Sequence, residues 1–441
     1  THMKPNYLKK LLLSEIEDVS KNADIFSVNP GKYFVRKRKL PFATVVKMII
    51  GMESKCLTNE LIDAFDTNCH LPSASAFVQQ RSKINPEAFK TIFDGFTSRI
   101  IDENPCDLRM LAVDGSDIQI ATNPNDLSSY HPGSNGQKPY NLLHLNALYD
   151  LNQHIYTDAI IQGRMDLNEH NALQAMIDRS TIDKALVIAD RGYESYNNMA
   201  HIQEKGWFFL IRIKDGKVGI KNGLELPNKP EFDIDINLKL TRKQSNEMKN
   251  LFKTDRNHYK FIPHTTDFDY LPLKQRKHDE TMFFELKFRI VRFKVTEDLY
   301  ETVLTNLETS EYPPEKLKSL YASRWGIETS FRDLKYTIGM LDFHSKKVMC
   351  IHQEIYAHLI MYNFAEMITS HVVIKKKQRK YIYRANFSIA VHMCRLFYHE
   401  KTTSPNLETI IARNIIPIRP DRHRERKLTA KVFHGFLYRV A

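Results

Sequence analysis

Apolar positions follow two rhythms along this chain. In the stretch 111–214 they alternate or run together in short blocks; before it, and again beyond Pro313, they recur three and four residues apart. LAVDGSDIQI (111–120), YNLLHLNALYDL (140–151), HIYTDAIIQG (154–163) and ALVIA (185–189) have the alternating or short apolar runs of strands. A turn around Asn152 divides the second from the third, and Gly192 marks a turn after the fourth. NEHNALQAMIDRS (168–180) and residues 195–205 predict helices, and WFFLIRIK (207–214) a further strand. Three strands in succession, then alternating helix and strand, predict a mixed sheet with helices packed on it.

The first hundred residues predict helices. FVRKRKLPFATVVKMIIGM (34–52) sets a basic cluster before an apolar helix. LPSASAFVQQRSKINPEAFKTIF (71–93) predicts two helices, the first opened by Pro72 and Ser73, with a break at Asn85-Pro86 and with Gln79, Gln80, Arg81 and Lys83 exposed. This pair is either a helix-turn-helix reader, its second helix entering a major groove, or an ordinary helical hairpin. Residues 214–309 mix a polar, charge-rich part (217–278) with two strand-like runs, MFFELKFRIVRFKV (282–295) and YETVLTNL (300–307). A ninety-residue loop without structure is improbable there.

Pro313-Pro314 opens another predicted helix. Within it, Tyr321, Arg324, Glu328 and Lys335 stand at offsets of zero, three, seven and fourteen. At about 100° per residue all four fall within roughly 60° on one helix face. A solvated face with intrahelical ion pairs has this look. So does a site that holds a metal ion beside phosphates. Two aspartates upstream favour the site: Asp114 in the middle of the first strand and Asp190 at the end of the fourth. A lone strand-end aspartate is more often a turn or cap residue, but here two are followed by a carboxylate-bearing helix.

The pattern Y-x-x-R-x-x-x-E-x-x-x-x-x-x-K, with D-G-S around Asp114 and D-R-G-Y around Asp190, resembles the signature of the insertion-sequence-4 family of bacterial DDE transposases. The resemblance implies an RNase H-like fold, with the Asp114 and Asp190 strands side by side and the Glu328 helix closing the site. It places a β-rich insertion domain before that helix. The expected divisions are a helical N-terminal DNA-binding domain (1–105), a catalytic core in two parts (106–214 and 310–371), the insertion (215–309) and a basic helical C-terminal region (372–441). It also implies two Mg²⁺ ions, with Mn²⁺ as a substitute, held by Asp114, Asp190 and Glu328. Arg324 and Lys335 would hold DNA phosphates, Arg as a fork and Lys as a point charge. Tyr321 would bond a phosphate oxygen or pack behind the site.

The family's reaction is cut-and-paste transposition at terminal inverted repeats. Some members form a DNA hairpin whose flipped base stacks on an aromatic, often a Trp of the insertion. The two tryptophans here, Trp207 and Trp325, lie outside the insertion, and Tyr300 is the nearest aromatic in a comparable place. An alternative is a host-adopted transposase that cuts DNA without integrating it.

Composition agrees with a DNA partner. The formal net charge is +12 over 441 residues. Residues 372–441 hold 16 Lys and Arg against 4 Asp and Glu, while the first 371 hold 48 of each. The excess therefore sits at the C-terminal end, where Lys375, Lys376, Lys377, Arg379 and Lys380 read as phosphate-contacting residues among aromatics. The five cysteines form no CxxC pair, and HPGSNGQKPY (131–140) lacks the P-loop pattern, so neither zinc nor ATP is expected. No run of 18 apolar residues predicts a membrane span. The expected setting is the bacterial cytoplasm, with a homodimer on paired DNA ends.

Overall fold

The computed structural model describes residues 3–36, 39–65, 71–133, 136, 138–214, 219–274, 280–374 and 381–418. Five helices come first: α1 (Pro5–Lys21), α2 (Phe42–Gly51), α3 (Leu57–Phe65), α4 (Ala74–Arg81) and α5 (Glu87–Glu103). The central segment follows as β1 (Arg109–Ile120), β2 (Tyr130–His131), β3 (Tyr140–Asp150), β4 (Ile155–Gln162), α6 (Glu169–Arg179), β5 (Ala185–Ala189), α7 (Tyr196–Glu204) and β6 (Phe208–Arg212). Then come β7 (Phe232–Thr241), α8 (Asn246–Thr254), β8 (Tyr259–Phe261), β9 (Phe284–Lys294) and β10 (Tyr300–Thr305). The chain returns to helix with α9 (Pro314–Ser323), α10 (Trp325–Asp333) and α11 (Val348–His371). The last described elements are β11 (Ile382–Ala385), α12 (Phe387–Tyr398), α13 (Ser404–Arg413) and β12 (Ile415–Ile418).

Ten strands form one mixed sheet among the described residues, in the order β2-β3-β1-β5-β6-β10-β9-β7-β8, with β4 pairing the far part of β3. β1 runs antiparallel to β3 and parallel to β5, and β5 runs parallel to β6. An antiparallel hairpin followed by two parallel strands is the RNase H-like arrangement expected. Every residue of β5 is buried, as a strand covered on both faces must be. Residues 215–309 do more than fill a loop. β10 pairs β6 antiparallel, and β9, β7 and β8 continue outward, so these strands prolong the same sheet. β7, α8 and β8 lie in the charge-rich part, where polar side chains on the outer face of β7 obscure its period.

Side-chain alternation sorts the sheet into two cores. Ala112, Ile118 and Ile120 of β1 join Ile188, Ile327, Phe331 and α5 and α11 on one face. Leu111 and Val113 join α6 and α7 on the other. The 372–441 region is not wholly helical: β11 and β12 pair antiparallel around α12 and α13. Phe397 and Tyr398 are buried, as a folded element requires. Lys375, Lys376, Lys377, Arg379 and Lys380 lie outside the described residues.

The helical pair at 71–93 departs from expectation. Ser73 caps α4, its hydroxyl accepting from Ala76 N–H at 3.2 Å, and the break falls at Asn85-Pro86 as predicted. Gln80 and Arg81, however, are buried, Arg81 at 2 % exposure. The Arg81 guanidinium donates to Gln353 Oε1 (2.9 Å) and the Cys350 carbonyl (2.6 Å) and pairs with Glu354 Oε1 (2.6 Å). α5 carries Ala88, Phe89, Ile92, Phe93, Phe96 and Ile100 with no exposure and packs on α1 and α11. It is an interior strut, so the hairpin reading stands and the recognition-helix reading does not.

His344 completes this buried polar cluster, with Nδ1 3.1 Å from Glu354 Oε2 and Nε2 2.9 Å from the Lys55 carbonyl. Burial opposes its charge, but Glu354 and Glu60 outweigh that and hold its pKa at about 9, against an ordinary 6.5. A folded-state pKa above the unfolded one adds stability that is complete below pH 6.5 and is lost as pH rises through about 9. Thermal unfolding should therefore come earlier as pH goes from 6.5 to 9, and His344→Gln should flatten that slope; an equal slope in the variant would contradict this.

Candidate active site

Asp114 and Asp190 stand level with one another. β1 and β5 pair in parallel with Ala112 opposite Ile188, so two residues further along each strand bring the two acids abreast. By alternation Asp114 shares the face of Ala112 and Ile118, the face that Ile327 and Phe331 of α10 cover. Its Oδ1 accepts the Gly115 N–H at 2.9 Å. Asp190 follows β5 directly and caps a short 3₁₀ turn, its Oδ1 accepting the Gly192 N–H at 2.7 Å. A Cβ on Gly192 would stand 2.9 Å from that oxygen, so the tight turn favours glycine there.

The segment carrying Tyr321, Arg324, Glu328 and Lys335 is not the single helix expected. α9 ends and α10 begins at Arg324. The last part, Leu334–Ile338, widens into a π-helical turn that stops at Gly339 with φ of +100°. Such turns cluster at functional sites because they redirect a side chain without ending the helix. Lys335 sits on this turn and donates from Nζ to the Asp117 carbonyl at 2.8 Å, tying the segment to β1.

Arg324 stands between two of the acids. Its Nη2 is 2.6 Å from Glu328 Oε1 and its Nη1 3.6 Å from Asp114 Oδ2. Burial, together with the charges of Asp190 and Glu328, pushes the Asp114 carboxyl up to about 6, against the pull of Gly115 N–H and Arg324. The three acids thus sense one another across a half-buried patch. Tyr321 lies beneath it: its hydroxyl is buried without a hydrogen-bond partner, and the Arg212 guanidinium lies 5.8 Å from its ring centre.

Tyr300 stands apart. Arg212 Nη1 pairs with Glu301 at 3.2 Å on the side where Tyr321 packs, so alternation turns the neighbouring Tyr300 to the other face of β10. There the Arg292 guanidinium covers its ring at 5.4 Å. Trp325, named above only as a tryptophan outside the insertion, and Tyr336 stand exposed on this segment, at 54 % and 69 %, each next to a cation of the pattern.

The donor set suits a hard divalent cation: three carboxylates, without sulfur or imidazole, two of them beside a guanidinium that already supplies positive charge. Among the described residues no three His, Cys, Asp or Glu side chains stand close enough to hold an ion as they are, consistent with Arg324 occupying the gap. Among the same residues no helix is long and apolar enough to cross a membrane.

The chain is similar to several known proteins. The family model described as a transposase DDE domain matches residues 105–364, from just before β1 into α11. The transposase InsG for insertion sequence element IS4 of Escherichia coli (strain K12) is 22% identical over 347 residues, covering 76% of this chain and 71% of that protein. A cryo-electron-microscopy structure of a piggyBac transposase synaptic complex with hairpin DNA aligns with a TM-score of 0.44 and 12% identity, over 96% of this chain and 87% of that one. The chain belongs to the DDE transposase family, with the insertion-sequence-4 transposases, whose enzymes carry out metal-dependent DNA cleavage and strand transfer.

Proposed function

We propose that Asp114, Asp190 and Glu328 are the catalytic acids of this transposase and that they hold two Mg²⁺ ions, with Mn²⁺ as a substitute. The observation that carries this is the place of Asp114: Asp190 and Glu328 both act on its carboxyl, and Arg324 joins it to Glu328. Bound ions of this kind activate an attacking oxygen and stabilise a leaving one. The rest falls to the chain. Arg324, freed from Glu328, presents a two-pronged donor to a DNA phosphate. Lys335, fixed on the Asp117 carbonyl, adds a point charge beside it. Tyr321 packs under the site and supports Arg324 from below. Nicking consumes water to break one phosphodiester bond, and strand transfer exchanges one such bond for another, so the reaction needs no ATP.

The test uses DNA bearing the inverted repeats that flank the gene. With Mg²⁺ or Mn²⁺, strand nicking at the repeat ends is expected, and with chelator none. Nicking in chelator, or none under either ion, contradicts the metal assignment. Hairpin products would fix the route.

DNA also needs a surface to lie on, and α5 does not offer one. A cleft of about 700 Å³ in the N-terminal region is lined by Lys32, Tyr33, Arg36 and Lys83. A second, of about 370 Å³, shares Leu40, Gln80 and Lys83 with it and adds Lys39 and Gln79. Cations interleaved with an aromatic suit a phosphate backbone, and we assign terminal-repeat contacts to this cleft. Arg36→Ala and Lys39→Ala should each lower the slope of log affinity against log salt by about 1. Fluorescence-anisotropy titration at several salt concentrations reads this out; an unchanged slope in both places the DNA elsewhere. Two ends must be cut together, so the working form is a homodimer on paired ends, acting in the bacterial cytoplasm.

A further inference from the structure

A second set of charged side chains lies directly behind the acids. His144 of β3 faces Asp117 of β1, with Nδ1 2.7 Å from Asp117 Oδ1. Its Nε2 stands 2.9 Å from Oε1 of Glu169, an ion-pair contact rather than an aligned hydrogen bond. Glu169 opens α6, the helix packed on the opposite face from α10. These groups occupy the space over two glycines of the active site. A Cβ on Gly115 would run into His144 Nε2 and stand 2.8 Å from Glu169 Oε1. A Cβ on Gly192 would stand 4.0 Å from Glu169 Oε2. The Glu169 carboxylate thus spans from the residue after Asp114 to the turn after Asp190. Tyr193, in that turn, is 1 % exposed with its hydroxyl unpartnered, and it feels the charges of Glu169, Asp114 and Asp190. Asp117 also joins the clamp to the helix segment, because its carbonyl accepts from Lys335.

We infer that His144 and Glu169 are positioning residues that set the spacing of Asp114 and Asp190 from behind the sheet. They lie on the face away from the ions and touch neither DNA nor metal. Glu169 is the wedge between β1 and the turn after β5, and His144 is the cation that seats the wedge and links it to Asp117. The arrangement is supported by a His144 pKa of about 9, where burial opposes the charge and the Asp117 and Glu169 carboxylates outweigh it. The role explains why a glycine follows the catalytic aspartate in DGS: a side chain at 115 would displace the clamp.

This inference rests on the reading of Asp114 and Asp190 as metal ligands, so the test carries a control for it. Full-length protein bound to terminal-repeat DNA is titrated with Mn²⁺, free ion being followed by electron paramagnetic resonance, for wild type, His144→Gln, Glu169→Gln, Gly115→Ala and Asp114→Asn. DNA affinity and unfolding midpoint are measured alongside. The expected result is a rise of about 10–100-fold in half-saturating Mn²⁺ for the Gln and Ala variants, with DNA affinity kept and cleavage partly recovered at high Mn²⁺. Glu169→Gln keeps the side chain's shape at a half-exposed position, so it reports even if Gly115→Ala unfolds. Wild-type Mn²⁺ binding in both Gln variants, with binding lost in Asp114→Asn, overturns the clamp alone. Unchanged binding in Asp114→Asn as well overturns the metal reading and the clamp together.

Discussion

Glu328→Gln is expected to lower DNA cleavage on the order of 10³-fold while terminal-repeat binding stays within a few-fold of wild type. The amide keeps the size of the side chain and its place on α10 but removes the negative charge that a divalent ion requires. Losing one hard ligand costs several kcal/mol of charge stabilisation in the transition state, and about 4 kcal/mol corresponds to that loss in rate. Asp114→Asn and Asp190→Asn should behave alike, because the acids act as one unit and single losses are not additive. Arg324 sharpens the prediction. In Glu328→Gln it loses its strongest partner, at 2.6 Å, and remains available to phosphate, so binding should hold or tighten. Cleavage and binding would be followed on the same DNA, by denaturing gel and by anisotropy. Parallel loss of both would mean that Glu328 serves folding instead.

The second large effect is on stability. Arg81→Met should destabilise the protein by about 3–5 kcal/mol, the usual result of removing one partner from a buried ion pair. Arg81 and Glu354 are 2 % and 1 % exposed, and Glu354 is held at about 2: burial opposes its charge, and Arg81 and His344 outweigh that. With Arg81 gone, the carboxylate keeps only His344, and Gln353 Oε1 and the Cys350 carbonyl each lose a donor. The pair joins α4 to α11, so the loss should loosen the N-terminal helices from the core that carries the Glu328 segment. Denaturant unfolding measures the change. A shift below about 1 kcal/mol would put this pair with surface salt bridges, against its burial.

Much of the candidate site was legible because its residues stand in places that folding alone does not favour. An aspartate in the middle of an apolar strand, another at the end of ALVIA, and a carboxylate between Arg and Lys on one helix all stand out against their periodicity. A mixed sheet with helices on it followed from three strands in a row and then alternating helix and strand, and the neighbouring Asp114 and Asp190 strands followed from the family resemblance. What could not be read depends on contacts distant in sequence. Arg81 looks like an exposed cation beside Gln79, and only its pairing with Glu354, 273 positions on, buries it. Tyr300 has the right neighbourhood in sequence, but strand alternation turns it to the opposite face. Helical spacing does not encode the break at Arg324 or the π turn from which Lys335 reaches the Asp117 carbonyl of β1. His144 and Glu169 carried no motif at all; their role emerges from the space left over Gly115.

The most direct test of the account is a strand-transfer assay. Pre-cut terminal-repeat DNA with free 3′-hydroxyl ends is incubated with a supercoiled target plasmid and Mg²⁺, using wild type and Glu328→Gln at concentrations that saturate the DNA. The account predicts joined products with wild type and none with the variant, at equal occupancy. Joining by Glu328→Gln at the wild-type rate would contradict the assignment of the acids, and a wild type that cuts repeat DNA but never joins it to target would mark a nuclease rather than a working transposase.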